Sequence, residues 1–348
     1  MKEFSPFKAL HHLAAIGKII DGDAPAPITV ELDPTNYCNH NCLWCIDQRL
    51  HTDNAAGLNL DLCLKLADSL RAMGVKAVTI KGGGEPLTHP RINEILEYYH
   101  SSGIEIGLIT NGELLAEHLE AIRKYCAWVR VSVDAATAET HARIHRPKSP
   151  GAFDRVCEGI RALAGNILIG AVMVIHSINC HEMPTAAGMI RNLGCQYVAF
   201  KRAIVPLEVF KLELLESMDQ MYRKVKVKME NSNFTVMGEH LYNFKKNWRP
   251  LPYNLCKAHQ LIGIVCADGL VYACCSTRGN ERYCFGSLYE NTFEDIWRSE
   301  KRRRVLEDID SGSCRQTCLG RTSFLRYDHY NALIGYLAGG EFPHKNFL

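Results

Sequence analysis

From Ile28 to about Val205 the sequence alternates short apolar runs with amphipathic stretches, the pattern of consecutive parallel βα units. Strands are predicted at Ile28–Leu32, Ala77–Ile80, Ile104–Ile109, Val129–Val133, Ile167–Ile175 and Tyr197–Phe200. Between them Leu62, Leu66 and Leu70, then Ile92, Ile95, Leu96 and Tyr99, then Leu115, Leu119 and Ile122 recur at helical spacing. Gly74, Gly103, Gly165 and Gly194 each stand just before a strand, where a helix C-terminal cap belongs. Six such units predict an α/β fold, an open partial (β/α)6 barrel of TIM-like type.

Parallel βα folds gather their chemistry at the C-terminal ends of the strands. The unusual residues of this chain fall there. After the first strand comes Cys38-Asn39-His40-Asn41-Cys42-Leu43-Trp44-Cys45, three cysteines spaced CxxxCxxC in an Asn-rich loop that can curl round one metal centre. Structural zinc takes four ligands from a closed set, whereas a [4Fe–4S] cluster held by three thiolates keeps one iron open. Gly82-Gly83-Gly84-Glu85-Pro86 follows the second strand, Thr110-Asn111-Gly112 the third, and Ser132 and Asp134 close the fourth. The three glycines permit a tight turn and close backbone approach to a ligand.

At these residues the chain resembles the radical S-adenosylmethionine (radical SAM) superfamily, whose hallmark is the CxxxCxxC loop with an aromatic residue before its last cysteine, here Trp44. The resemblance implies that Cys38, Cys42 and Cys45 hold a [4Fe–4S] cluster with S-adenosylmethionine on its free iron, and that Trp44 and Asn111 lie at the cofactor. It implies that Gly82, Gly83, Gly84 and Glu85 meet the cofactor's methionine amino group. Ser132 is implied to lie near the cofactor's carboxylate or ribose, though a strand serine bonded to a neighbour reads equally well. Arg146 occupies a loop where relatives often place a cofactor-binding arginine, and a solvated loop arginine is the competing reading. Asp134 contacts substrate or caps a turn. His176 and Asn179 follow the fifth strand at the same mouth. Cys63, Cys126, Cys157 and Cys195 read as small buried hydrophobes, and Cys180 is less settled.

A charged helical stretch, Leu207 to about Asn231, carries Leu212, Leu215, Met218, Met221 and Tyr222 as its apolar stripe. Prolines near Trp248-Arg249-Pro250-Leu251-Pro252 mark a boundary, after which Cys256, Cys266, Cys274, Cys275, Cys284, Cys314 and Cys318 crowd together. Two strand-like runs flank Asp268-Gly269, a tight-hairpin dipeptide, and a helix is predicted from Thr292 to Ile309. This part resembles the twitch and SPASM auxiliary-cluster domains of some radical SAM enzymes. Cys256, Gly269 and Cys274 fit their opening, while Cys314 and Cys318 form a closing pair one residue longer than the family's CxxC. The resemblance implies one auxiliary [4Fe–4S] cluster on Cys256, Cys274, Cys314 and Cys318; a structural zinc on the same four thiolates is the alternative. The expected divisions are residues 1–27, a helical arm; 28–205, the barrel; 206–250, a helical linker; 251–325, a small cysteine-rich α+β auxiliary domain; and 326–348, a helix and tail.

A chain of 348 residues with 47% hydrophobic content can bury a large core. Its net charge of +2 supplies no basic excess for nucleic acid. The 15 cysteines do not form a secreted disulfide framework, because Leu10 to Ile20 is interrupted by His11, His12 and Lys18 and reads as an amphipathic helix, not a signal peptide. No run approaches a membrane span, so a reducing cytoplasm is expected. The family's chemistry is one-electron reduction of the cluster, homolysis of the sulfonium and hydrogen abstraction from carbon by a 5′-deoxyadenosyl radical. The basic run Lys301 to Arg304 is either a solvated face or a dock for a flavodoxin or ferredoxin electron donor. Only 37 residues precede Cys38, fewer than the additional N-terminal domain of many peptide-modifying relatives, so a small polar substrate (sugar, aminocyclitol or nucleoside) is expected, oxidised or epimerised. For epimerisation Cys180, Cys266, Cys275 and Cys284 are the candidate hydrogen donors. The alternatives are a peptide-modifying enzyme, an electron carrier or a zinc-stabilised interaction protein.

Overall fold

The apolar runs become strands of one continuous sheet. In this computed structural model residues 6–53, 57–203, 212–238, 256–310 and 325–339 are described. The barrel strands are β1 (Thr29–Leu32), β2 (Ala77–Ile80), β3 (Glu105–Thr110), β4 (Trp128–Ser132), β5 (Leu168–Ile175), β6 (Tyr197–Arg202) and β7 (Thr235–Met237), all parallel and adjacent in chain order. Helix α1 (Leu13–Ile20) precedes them. The connecting helices are α2 (Leu60–Ala72), α3 (Ile92–Ser101), α4 (Leu119–Tyr125), α5 (Ala138–His145), α6 (Ala152–Leu163), α7 (Met183–Asn192) and α8 (Leu212–Met229). This is an open α/β sheet of the partial TIM-barrel kind. Gly74, Gly103, Gly165 and Gly194 take the positive φ expected of helix-ending glycines.

Alternation along each strand sorts the two faces. Val30, Leu32, Val78, Ile80, Ile106, Leu108, Val129, Val131, Ile169, Ala171 and Met173 are buried beneath the helices. The opposite face carries Thr79, Arg130, Ser132 and Lys201, half-buried on the concave side. Its floor is closed by two rings. Trp128 pairs in register with Gly107 and Tyr197 with Gly170, and a Cβ on either glycine would stand 2.1 Å from the facing ring.

Three expectations change. The stretch expected as a helical linker contains β7, whose Thr235–Met237 pairs with Tyr197–Ala199 of β6; three residues are too few to show a period. The N-terminal apolar stretch opens as a 3-10 helix, Pro6–His12, before α1. The helix expected from Thr292 to Ile309 is two, α9 (Phe293–Trp297) and α10 (Glu300–Asp310). The break forms because Trp297 turns into the core, its Nε1 donating to Pro25 O (2.8 Å), and Ser299 Oγ restarts the next helix by accepting from Arg302 N (3.1 Å).

The cysteine-rich part adds β8 (Ile262–Val265), β9 (Leu270–Tyr272) and β10 (Cys284–Ser287). β8 and β9 form the hairpin at Asp268-Gly269, with Gly269 at φ 78°. β8 also pairs in parallel with β1, Thr29 opposite Ile262, so the hairpin extends the barrel sheet at its first edge. Over this extension α1 and α11 (Leu325–Ala338) pack Ile16, Ile19 and Ile334 against Ile262, Ile264, Cys266, Cys275 and Cys284. The basic run on α10 is largely engaged: Arg302 is buried over the Trp297 ring (4.1 Å), and Arg303 pairs with Glu300 and Glu307. Among the described residues no helix is long and apolar enough to cross a membrane.

Candidate metal and cofactor site

The cysteine loop leaves β1 at Asp33 and is hung on the C-terminal end of α5. Asn41 N donates to His145 O (3.0 Å), Leu43 N to Ile144 O (2.9 Å) and Lys148 N to Asn39 O (2.9 Å). Arg146 makes this possible by taking a left-handed conformation, φ 46°, where α5 ends; its side chain points to solvent. Inside the loop Asn39 Nδ2 and His40 Nε2 both reach Glu113 Oε2, at 2.8 and 2.7 Å, and Asn111 Nδ2 donates to Asn39 Oδ1 (2.7 Å). Glu113 is held in turn by Ser149 Oγ (2.6 Å) and Arg155. This carboxylate is the loop's anchor, and the sequence reading passed over it although it follows Thr110-Asn111-Gly112 directly.

Cys38, Cys42 and Cys45 are free, half-buried thiols on this scaffold. Burial, and then the nearby Glu85 carboxylate, push the Cys38 thiol up to about 12, and burial pushes Cys45 up to about 11. Thiols this reluctant to ionise become thiolates when a metal takes the proton's place. Among the described residues the ligand atoms that fall within 4.8 Å of one another as a set of three are those of His40, Cys42 and His145. The three loop sulfurs do not form such a set. Their number and softness fit an iron–sulfur cube held at three corners.

The glycine turn lies directly on the loop. A Cβ on Gly84 would stand 2.0 Å from Tyr37 O, and one on Gly83 2.3 Å from Asn36 Oδ1. Gly84 N donates to Thr35 O (3.1 Å) and Glu85 N to Tyr37 O (2.8 Å), so backbone meets backbone one residue before Cys38. The Glu85 carboxylate turns inward, accepting from Thr110 Oγ1 (2.6 Å), Asn111 N (2.7 Å) and Leu87 N (3.1 Å). Burial nonetheless pushes it up to about 7. What the turn offers a ligand is therefore its main chain. Gly84→Ala is expected to cost about 1–3 kcal/mol or more, the range for overpacking a closed site, and to lower iron loading, whereas Gly17→Ala, whose Cβ meets nothing within 4 Å, is expected to be neutral or stabilising. Denaturant unfolding and iron analysis of both variants check this.

The Trp44 ring stacks on His176 (centroids 5.1 Å, 14°), and its Nε1 is buried without a hydrogen-bond partner among the described residues. Ser132 ends β4 on the concave face, half-buried. Asp134 Oδ1 accepts from Val174 N (2.7 Å), and Asn179 pins Asp134 O (2.7 Å) and Val174 O (2.8 Å), so Asn179 is a buried brace. Cys63, Cys126 and Cys195 are buried, Cys157 half-buried, and Cys180 is buried just beyond β5.

In the second cysteine group Cys256 Sγ accepts from Asn331 Nδ2 (3.4 Å), and Cys274 precedes a short 3-10 turn, Cys275–Thr277. Cys266, Cys275 and Cys284 are buried around them. Cys314 and Cys318 lie outside the described residues. Arg278, three residues beyond Cys275, links the two cysteine regions: its guanidinium donates to Asp33 Oδ2 (2.5 Å), Asp47 Oδ2 (2.8 Å) and Cys275 O (3.1 Å), and Arg49 donates to Arg278 O (2.6 Å).

The profile of the radical SAM superfamily matches residues 32–187, and that of the SPASM iron–sulfur cluster-binding domain matches residues 256–319. The chain carries a radical SAM domain and a SPASM domain. Its cofactors are [4Fe–4S] clusters and S-adenosylmethionine. The AdoMet-dependent heme synthase of Methanosarcina barkeri is 37% identical over 142 residues, 40% of this chain and 39% of that protein. The subtilosin biosynthesis protein AlbA of Bacillus subtilis is 29% identical over 181 residues, 51% of this chain and 39% of that protein. This radical SAM chain thus matches about two fifths of the length of each of these relatives. The mycofactocin maturase MftC of Mycobacterium tuberculosis is 24% identical over 330 residues, 92% of this chain and 80% of that protein. In fold the chain is similar to Streptococcus suis SuiB, with TM-score 0.65, 16% identity, and coverage of 90% of this chain and 76% of that one.

Proposed function

We propose that this radical SAM enzyme modifies a peptide. The observation that carries the reading is the extent of the mycofactocin maturase match, which runs through both the barrel and the cysteine-rich part, whereas the heme synthase match spans 40% of the chain. A relative named for bacteriocin biosynthesis, and a fold neighbour solved with its precursor peptide SuiA, support the same class. They favour a peptide over the small polar substrate expected from the short stretch before Cys38.

In this reading Cys38, Cys42 and Cys45 hold the first cluster, and the main chain of Gly82–Gly84 together with Trp44, Asn111 and Ser132 surrounds the cofactor, while Arg146, with its exposed side chain, serves through the backbone turn that ends α5. When bound, S-adenosylmethionine on a reduced [4Fe–4S] cluster supplies a 5′-deoxyadenosyl radical able to take hydrogen from carbon. The chain's own residues position and exclude. Glu113 and Asn111 fix the cysteine loop through Asn39 and His40, Glu85 locks the glycine turn to β3, and the Trp128 and Tyr197 rings close the barrel floor against water. Cys256 and Cys274, with Cys314 and Cys318, hold the auxiliary cluster, and Arg278 sets its loop against the first.

The test is anaerobic, reconstituted enzyme with dithionite, offered short peptides on one side and sugars, aminocyclitols and nucleosides on the other. Peptides are expected to raise 5′-deoxyadenosine release and to change in mass. Stimulation by a sugar or nucleoside, with no peptide active, returns the reading to the small-molecule class.

A further inference from the structure

Two histidines behind the cysteine loop, which a three-thiolate cluster does not use, form a constellation with Cys42. His40 Nδ1 and His145 Nδ1 face each other at 3.4 Å, and His145 Nδ1 lies 3.5 Å from Cys42 Sγ. An ion bound tetrahedrally, with metal–nitrogen bonds of about 2.05 Å and a metal–sulfur bond of about 2.3 Å, sets its nitrogens about 3.35 Å apart and nitrogen from sulfur about 3.55 Å. Both observed separations match those edges.

Both outer nitrogens face carboxylates, and that of His40 is hydrogen-bonded to its own. His40 Nε2 bonds Glu113 Oε2 at 2.7 Å, and His145 Nε2 stands 3.3 Å from Asp134 Oδ2. Each carboxylate is itself fixed, Glu113 by Ser149 and Arg155, Asp134 by Val174 N. Carboxylates behind imidazoles in this way select the tautomer and orient the ring for a metal. With its outer nitrogen bonded to Glu113, His40 turns Nδ1 toward Nδ1 of His145, a contact that one shared proton or one metal ion can bridge. His141 stacks on His145 (4.4 Å, 10°), and all three histidines are buried.

We infer that in the chain without its cluster His40, Cys42 and His145 bind a single borderline divalent transition-metal ion, such as zinc, and that this ion and the cluster exclude each other because both require Cys42. The exclusion rests on Cys42 being a cluster ligand; the ion site does not. The bond lines are simple: zinc displaces the Cys42 thiol proton to solvent and accepts one sulfur and two nitrogen lone pairs, with no change of oxidation state.

Crystals of the cluster-free full-length chain grown with zinc, measured at the zinc absorption edge, test the site. An anomalous peak is expected about 2.0–2.1 Å from both Nδ1 atoms and about 2.3 Å from Cys42 Sγ, and His145→Phe, which keeps the stack on His141, is expected to abolish it while zinc elsewhere persists. No peak at that point, zinc held by Cys38, Cys42 and Cys45 instead, or a peak that survives His145→Phe overturns the inference. Zinc-loaded chain given iron and sulfide is expected to develop no cluster absorbance at the cysteine loop until a chelator is added. A complete cluster forming while zinc stays in place overturns the exclusion and the assignment of Cys42 to the cluster, and leaves the ion site standing.

Discussion

Replacing Cys42 with alanine is expected to abolish 5′-deoxyadenosine formation and to remove about four iron atoms per chain, the content of one [4Fe–4S] cluster. The loss is all or none because the open corner exists only while three thiolates hold the others. Two thiols cannot keep the cube, and with it goes the one place where a sulfonium cofactor is bound and reduced. Cys195→Ala is the matched control. Its thiol is buried in the hydrophobic core beside α7 and is expected to cost stability alone, as a small cavity does. Iron and sulfide analysis with chromatographic measurement of 5′-deoxyadenosine checks both variants. Product from Cys42→Ala at the parent rate, or unchanged iron, removes the cysteine loop from the chemistry.

What was legible beforehand follows the range of the interactions. The barrel strands showed in the sequence because an apolar run and the glycine that ends the preceding helix are local signals; Ala77–Ile80 is found where it was expected to the residue. The hairpin at Asp268-Gly269 was legible for the same reason, since two residues set the turn. Its docking was not. β8 pairs with β1 although more than 200 residues separate Thr29 from Ile262, and nothing in either stretch names the other. The same holds at the site. CxxxCxxC and the triple glycine are read from spacing, whereas Glu113, His145 and Arg278 matter through partners brought from other elements. Glu85 shows the limit from the other side: its place after three glycines pointed to a ligand, and its carboxylate is spent inside the protein on Thr110, Asn111 and Leu87.

Arg278→Met is expected to destabilise the cluster-free chain by about 3–5 kcal/mol, the usual consequence of removing one partner from a buried ion pair. Arg278 and Asp33 are 3% and 0% exposed at their side chains, and Asp47 17%. Without the guanidinium the carboxylates of Asp33 and Asp47 are left with only the more distant Lys81 ammonium, itself paired with Glu31 at 2.8 Å, and the main-chain carbonyl of Cys275 loses its donor. Methionine nearly fills the volume, so the effect reports charge and hydrogen bonding more than a cavity. Arg278→Lys keeps the charge but not the fork that reaches both aspartates, and is expected to fall between the two. The decisive comparison is the double variant Arg278→Met with Asp33→Asn. If the cost arises from an uncompensated carboxylate, neutralising Asp33 recovers part of it and the pair falls well short of the sum of the single changes. Additive single costs, or a cost below about 1 kcal/mol for Arg278→Met, the size of an exposed pair, mean that the two cysteine regions are not joined through this residue. Because Asp33 leads into the loop bearing Cys38 and Cys275 follows Cys274, a broken strut is expected to loosen both loops together, read as faster amide exchange at residues 36–45 and 274–278 in the single variant and its partial return in the double.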